Sequence, residues 1–190
     1  MTATEALDES IIKQASTLLG VWEEVRGRDF DLGGVDLQNY GIRSIASLAD
    51  SDYDLDKELV NTNHSERLIY MDTQPAGLMT ISEGKIVAIS RPEIGHQGAV
   101  LLTKALTLFF GDAEEVSDNE IPILITIMGL HVIAAYQRKT KRIVAYDVPH
   151  THWPDNNYIN EPPAFEFISP QRFVEGLRAI IRERPENFRI

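Results

Sequence analysis

The chain has 190 residues, 43% hydrophobic and 25% charged, which fits one globular domain over 1–190 with a core of its own. The sequence holds no cysteine, which excludes disulfides, a thiol nucleophile and thiolate metal sites, and suits the reducing cytosol. Its 29 acids and 18 bases give a net charge of −11, a balance that repels phosphate backbones and argues against nucleic acid as a partner.

The first ten residues, MTATEALDES, carry neither the basic nor the apolar region of a secretory signal, so a cytoplasmic location is expected. Leu7, Ile11, Ala15, Leu18, Trp22 and Val25 recur at steps of three and four, with Ile12 and Leu19 beside them. That spacing predicts one amphipathic helix with Trp22 in the core. Thr2 and Glu5 have the spacing of a capping box, and Gly27 follows where a left-handed cap would close the helix. Gly33 and Gly34 centre a loop. Asp36 is then expected to cap a second helix bearing Leu37, Tyr40, Ile45 and Leu48, weakened by Gly41.

From Arg67 the pattern changes. Residues 68–71, 77–81 and 86–89 are short β-type runs, parted by the turn chemistries of 73–76 and 82–85. A helix is predicted over 97–110, closed by Gly111, with Val100, Leu101, Ala105, Leu108 and Phe109 on its buried side. Residues 123–128, 130–137 and 142–148 form a second strand group, with a basic turn at 138–141. The apolar run 123–127 predicts a strand covered on both faces. At 121–127 the longest apolar run is broken by Pro122 and Thr126 and is too short to span a bilayer, so no membrane is expected. Residues 149–163 read as a long loop. Ser169 before Pro170 supplies an N-cap and a first-turn proline, opening a helix with Phe173, Val174, Leu177, Ile180 and Ile181 on its stripe and Pro185 as its stop. The expected fold is α+β, in the order α(α)βββαβββα, with antiparallel sheet from two three-strand groups and helices on one face. Residues 85–89 (KIVAI) and 142–146 (RIVAY) echo one another, a similarity that shared strand composition also produces.

Three constellations bear on chemistry. Asp50, Asp52, Asp54, Asp56 and Glu58 place acids at alternate positions, as a calcium loop does. The sixth place holds Leu55 instead of glycine and the twelfth Asn61 instead of glutamate, so the run reads better as an acidic partner surface. His150, His152 and Asp155 are candidate metal ligands, with a further ligand to come from His64, His96 or His131. Gly95-His96-Gln97-Gly98 stands before a helix but lacks the spacing and lysine of a phosphate loop. Ser44, Ser82, Ser90 and Ser169 lie in no nucleophile context.

Residues 1–137 hold 22 acids and 9 bases, whereas 138–190 hold 7 acids and 9 bases. Arg138, Lys139, Lys141 and Arg142 bracket one turn, and Arg172, Arg178, Arg182 and Arg184 stud the last helical region. The sequence thus points to a non-enzymatic acidic interaction protein that holds a basic protein partner, in the manner of an immunity- or antitoxin-like inhibitor or a secretion chaperone, with no cofactor. The partner-facing residues are the acids of 50–58 named above, then Glu114, Glu115, Asp118 and Glu120, with Trp153 and Tyr158 as aromatic anchors. A homodimer joining basic turn to acidic face is a further expectation. The alternative is a small metal-dependent enzyme built on His150, His152 and Asp155.

Overall fold

A computed structural model describes residues 9–111, 121–147 and 165–182. It is α+β. The elements are α1 (Glu9–Leu19), β1 (Phe30–Leu32), β2 (Leu37–Ile42), α2 (Leu55–Glu58), β3 (Leu59–Met71), β4 (Gln74–Ser82), β5 (Lys85–Ile89), α3 (Gln97–Phe110), β6 (Ile123–Ile127), β7 (Val132–Gln137), β8 (Arg142–Asp147) and α4 (Pro170–Arg182). The chain packs as two compact units. One comprises Met1–Asn39 with Asn63–Ile121, the other Tyr40–Thr62 with Pro122–Ile190.

In the first unit β3 pairs antiparallel with β4, and β4 with β5. On its other edge β3 pairs antiparallel with β1, bringing Asp31 opposite Tyr70 and Leu32 opposite Ile69. The β3–β4 turn is Asp72-Thr73, not 73–76 as expected; both have positive φ, as does the Glu83-Gly84 pair between β4 and β5. Two-residue turns of this hand match the twist of the strands they join, so Gln74 and Pro75 already lie in β4.

Strand alternation sorts the helices. Ile69, Met71, Met79 and Ile81 cluster with Ile11, Ala15 and Leu19 of α1. Leu68 and Tyr70, the alternate residues, line a groove with Thr103, Leu106 and Phe110 of α3. Side chains at successive strand positions point to opposite faces, so α1 and α3 flank these strands from opposite sides instead of sharing the one face expected.

Helix α1 ends at Leu19, short of its predicted run, and a 3-10 turn spans Glu23–Val25. Trp22 is therefore half-buried at the edge of the α1 core. Arg91 stacks over its ring at 5.7 Å while pairing with Glu24. Leu18 is 39% exposed, because the stripe turns away where the helix stops. The expected helix after Asp36 is strand β2 followed by a 3-10 turn at Ala46–Ala49. Helix α3 has its predicted bounds, but its buried residues are Ala99, Leu102, Ala105 and Leu106, one step round from the predicted side; Leu108 is exposed.

In the second unit β6, β7 and β8 pair antiparallel in sequence order. Leu124 and Ile125, on opposite faces of β6, are 2% and 0% exposed, as expected of a strand covered twice. Ile125, Ile127, Tyr136 and Ile143 pack with Phe173, Val174, Leu177 and Ile180 of α4. That helix begins as the sequence predicts, with Ser169 Oγ accepting the Arg172 N–H at 3.2 Å and Pro170 in the first turn. Pro185 lies outside the described residues.

Burial ranks two aromatic residues. Phe173 is fully buried, so Phe173→Ala is expected to cost about 3–5 kcal/mol. Trp22→Ala should cost clearly less, about 1–3 kcal/mol, because much of the ring already meets water. Urea unfolding of both variants checks the order; an equal or larger loss at Trp22 contradicts it.

Candidate functional site

The acidic run at 50–58 is bound up within the second unit. Asp54 caps α2, accepting the Asp56 N–H at 3.1 Å, and pairs with Lys57 Nζ at 3.0 Å. The Lys57 ammonium holds the Asp54 carboxyl below its ordinary range. Asp56 accepts from Tyr136 Oη at 2.9 and 3.0 Å and from Lys141 Nζ at 2.5 Å, with Arg138 Nε at 3.9 Å. Arg138 also lies 4.6 Å over the Tyr40 ring. Thus the acidic run and the basic turn that the sequence offered as two binding surfaces meet each other in one chain. Glu58 faces Arg43 at 4.0 Å, and only Asp50 and Asp52 of the five acids stand exposed without an ion pair among the described residues.

This network has its own proton energetics. Burial, then the bond to Asp56, pushes the Tyr136 hydroxyl up, and the bond to Asp56 raises Lys141. Tyr53, in the same unit, is pushed up to about 12, first by burial and then by the Glu58 charge. Its hydroxyl is buried without a hydrogen-bond partner among the described residues.

The three described histidines do not assemble. His64 is exposed on β3, and His131 is exposed with a left-handed backbone, φ 53°. His96 caps α3, its Nδ1 accepting the Ala99 N–H at 3.3 Å, so the start of that helix is occupied by its own chain. Among the described residues no three histidine, aspartate or glutamate side chains converge as metal ligands. His150, His152, Asp155, Trp153, Tyr158, Glu114, Glu115, Asp118 and Glu120 lie outside the described residues.

The first unit holds a groove of about 290 Å³ that sequence reasoning did not single out. One wall is Leu37, Leu68 and Tyr70 from the strands. The other is Thr103, Leu106, Thr107 and Phe110 from α3, and Gly33-Gly34-Val35 and Gly111 complete it. Gly33 fits closely here: a Cβ would stand 3.2 Å from both Leu68 Cβ and the Tyr70 ring, which would have to give by a few tenths of an ångström. Thr103 and Thr107 give their hydroxyl protons to the Ala99 and Thr103 carbonyls, and Gly33 N–H donates to Leu68 O, which leaves the lining largely apolar. The signal in the sequence is Thr103, Leu106, Thr107 and Phe110, an i, i+3, i+4, i+7 stripe offset from the buried one.

Beside it, Glu66 accepts from Thr80 Oγ1 at 3.0 Å, and burial raises its carboxyl above the usual range. Two residues along the same strand from Leu68, it lies on the same face of the strand.

No protein family, curated protein or solved structure matches the chain, which leaves its chemistry to be read from its own geometry.

Tyr53 gives the sharpest test of the second unit. A hydroxyl buried without a partner destabilises, so Tyr53→Phe is expected to raise stability at pH 7 by about 1 kcal/mol. The folded pKa lies above the unfolded 10, so the Tyr53 contribution is constant below pH 10 and is lost as pH rises to about 12. Urea midpoints against pH should therefore fall less steeply for the phenylalanine variant between pH 10 and 12. Parallel curves refute the assignment.

Proposed function

We propose that this chain is a non-enzymatic binding protein that holds a basic protein partner through its first unit. The reading rests on how the charge divides. The first unit carries 17 acids against 7 bases, a net −10; the second carries 12 against 11, a net −1. Three arginines of the first unit are already taken, Arg28 by Asp72, Arg67 by Asp36 and Arg91 by Glu24. Glu9, Glu23, Asp29, Asp31 and Glu83 remain exposed with no ion pair among the described residues. A field of one sign speeds the arrival of an oppositely charged partner and fixes its register.

Immunity- or antitoxin-like inhibition of a cationic effector, or escort of a cationic secreted protein, are the concrete forms this takes. The acids at 50–58 serve it less well than the sequence suggests, because Asp54 and Asp56 already have cations of their own. For the same reason the 138–141 turn is a poor hook for a second copy.

Isothermal titration against cationic proteins encoded beside this chain tests the proposal. The tightest partner should lose about tenfold or more in affinity between 50 and 200 mM salt, and a comparable factor on Glu23→Gln, Asp29→Asn and Glu83→Gln combined. Asp56→Asn should lower stability while leaving affinity near that of the parent. An affinity indifferent to salt and to the triple variant removes the proposal.

A further inference from the structure

We infer that the groove between the strands and α3 of the first unit seats one large apolar or aromatic side chain from a basic segment of the partner; this rests on the reading of the chain as the holder of a basic protein. At about 290 Å³ the groove lies at the lower bound of pockets that enclose small molecules, which suits a single side chain better than a cofactor. Its walls are apolar, since the threonine hydroxyls are turned to helix carbonyls. Tyr70, a half-buried lining residue, makes no hydroxyl hydrogen bond among the described residues, so the lining keeps one donor for a backbone carbonyl of the incoming segment.

Charge selects the occupant. Asp31 stands opposite Tyr70 in the β1–β3 ladder and so projects on the same face; it is exposed and has no ion pair among the described residues. Its Oδ1 accepts the Leu32 N–H at 2.8 Å, which fixes the carboxylate beside the groove. An apolar anchor flanked by lysine or arginine satisfies groove and rim together, whereas an acidic segment meets like charge. A buried anchor inside a charged rim is how interfaces of this kind concentrate their affinity.

The test uses the full chain and three fluorescein-labelled dodecapeptides read by anisotropy: lysine-rich with a central phenylalanine, the same with alanine, and glutamate-rich with phenylalanine. The lysine–phenylalanine peptide should bind about tenfold tighter than its alanine twin. Thr107→Trp, at an exposed position on the helix wall, should fill the groove and erase that difference without moving the unfolding midpoint. Asp31→Asn, which keeps the acceptor for Leu32, should weaken the lysine–phenylalanine peptide about threefold at low salt. Equal binding of the phenylalanine and alanine peptides overturns the groove assignment while leaving the basic-partner reading in place. Tighter binding of the glutamate peptide overturns the charge assignment. Binding of none overturns the groove assignment, and the protein titration above then decides the basic-partner reading on its own.

Discussion

A guanidinium taken out of water costs several kcal/mol unless an anion meets it, and Arg67 on β3 is only 2% exposed. Asp36 meets it with both oxygens, at 2.8 Å to Nε and 2.8 Å to Nη2. Paired donors of this kind fix direction as well as distance. The residue that leads into β2 is thereby tied to the middle of β3, and Leu37 to Asn39 follow as strand. This is why the segment after Asp36 is not the helix its spacing suggests. A helix start there would have to use the Asp36 carboxylate as a cap, and the buried cation would be left without its anion. The strand pairing satisfies both, and it sets Leu37 in the groove wall.

The same requirement governs the second unit in a milder form. Asp56 is about one-third exposed, and it is met by Tyr136, Lys141 and Arg138 from the β7–β8 hairpin. Surface pairs of this sort contribute little each, but here three donors share one carboxylate and one of them is a buried tyrosine. The consequence for charge is larger than the consequence for stability. With Arg138 and Lys141 of the hairpin committed to Asp56, and 12 acids against 11 bases in all, the second unit has no large excess of charge. The acidity of the chain is then a property of the first unit, where Arg28, Arg67 and Arg91 are committed to carboxylates in turn.

Much of the fold is legible in the residues because local signals agree. Ser169-Pro170 and the stripe from Phe173 to Ile180 give α4; Gly111 closes α3; Glu83-Gly84 supplies the positive φ that its turn requires. The losses have physical causes. Leu37, Tyr40, Ile45 and Leu48 mimic a helical stripe, and only a long-range ion pair rules otherwise. The first half of β3, 59–67, is mostly polar because its residues are mostly exposed, so alternation had nothing to mark. The buried face of α3 is hard to read because the helix is apolar on two sides: Val100, Leu101, Leu108 and Phe109 rival the residues that are in fact buried, Ala99, Leu102, Ala105 and Leu106. A groove whose walls come from 33–37, 68–70 and 103–111 leaves no contiguous trace. The acidic run was visible, yet its engagement with a turn eighty-five residues away was not.

The echo between 85–89 and 142–146 shows how little a strand sequence says about its surroundings. Both segments are the third strand of a meander that precedes a helix, β5 before α3 and β8 before α4. Ile143, Val144 and Ala145 are all buried; Val87 and Ala88 are exposed and Ile86 is half-exposed. In β8 the outer edge is met by Ile168, which exchanges two backbone hydrogen bonds with Ile143 at 3.0 and 2.9 Å, and α4 packs against the strand. In β5 a single side chain, Gln14 of α1, accepts the Ile86 N–H. An edge strand with its backbone open invites pairing with another chain. Lys85 at one end and the Gln14 contact beside it limit that, so Val87 can stay in water without making the edge a template. The same tripeptide, Ile-Val-Ala, therefore serves as core in one unit and as guarded edge in the other, and what differs is the neighbours: Ile168 and α4 cover it in β8, whereas Gln14 meets it in β5.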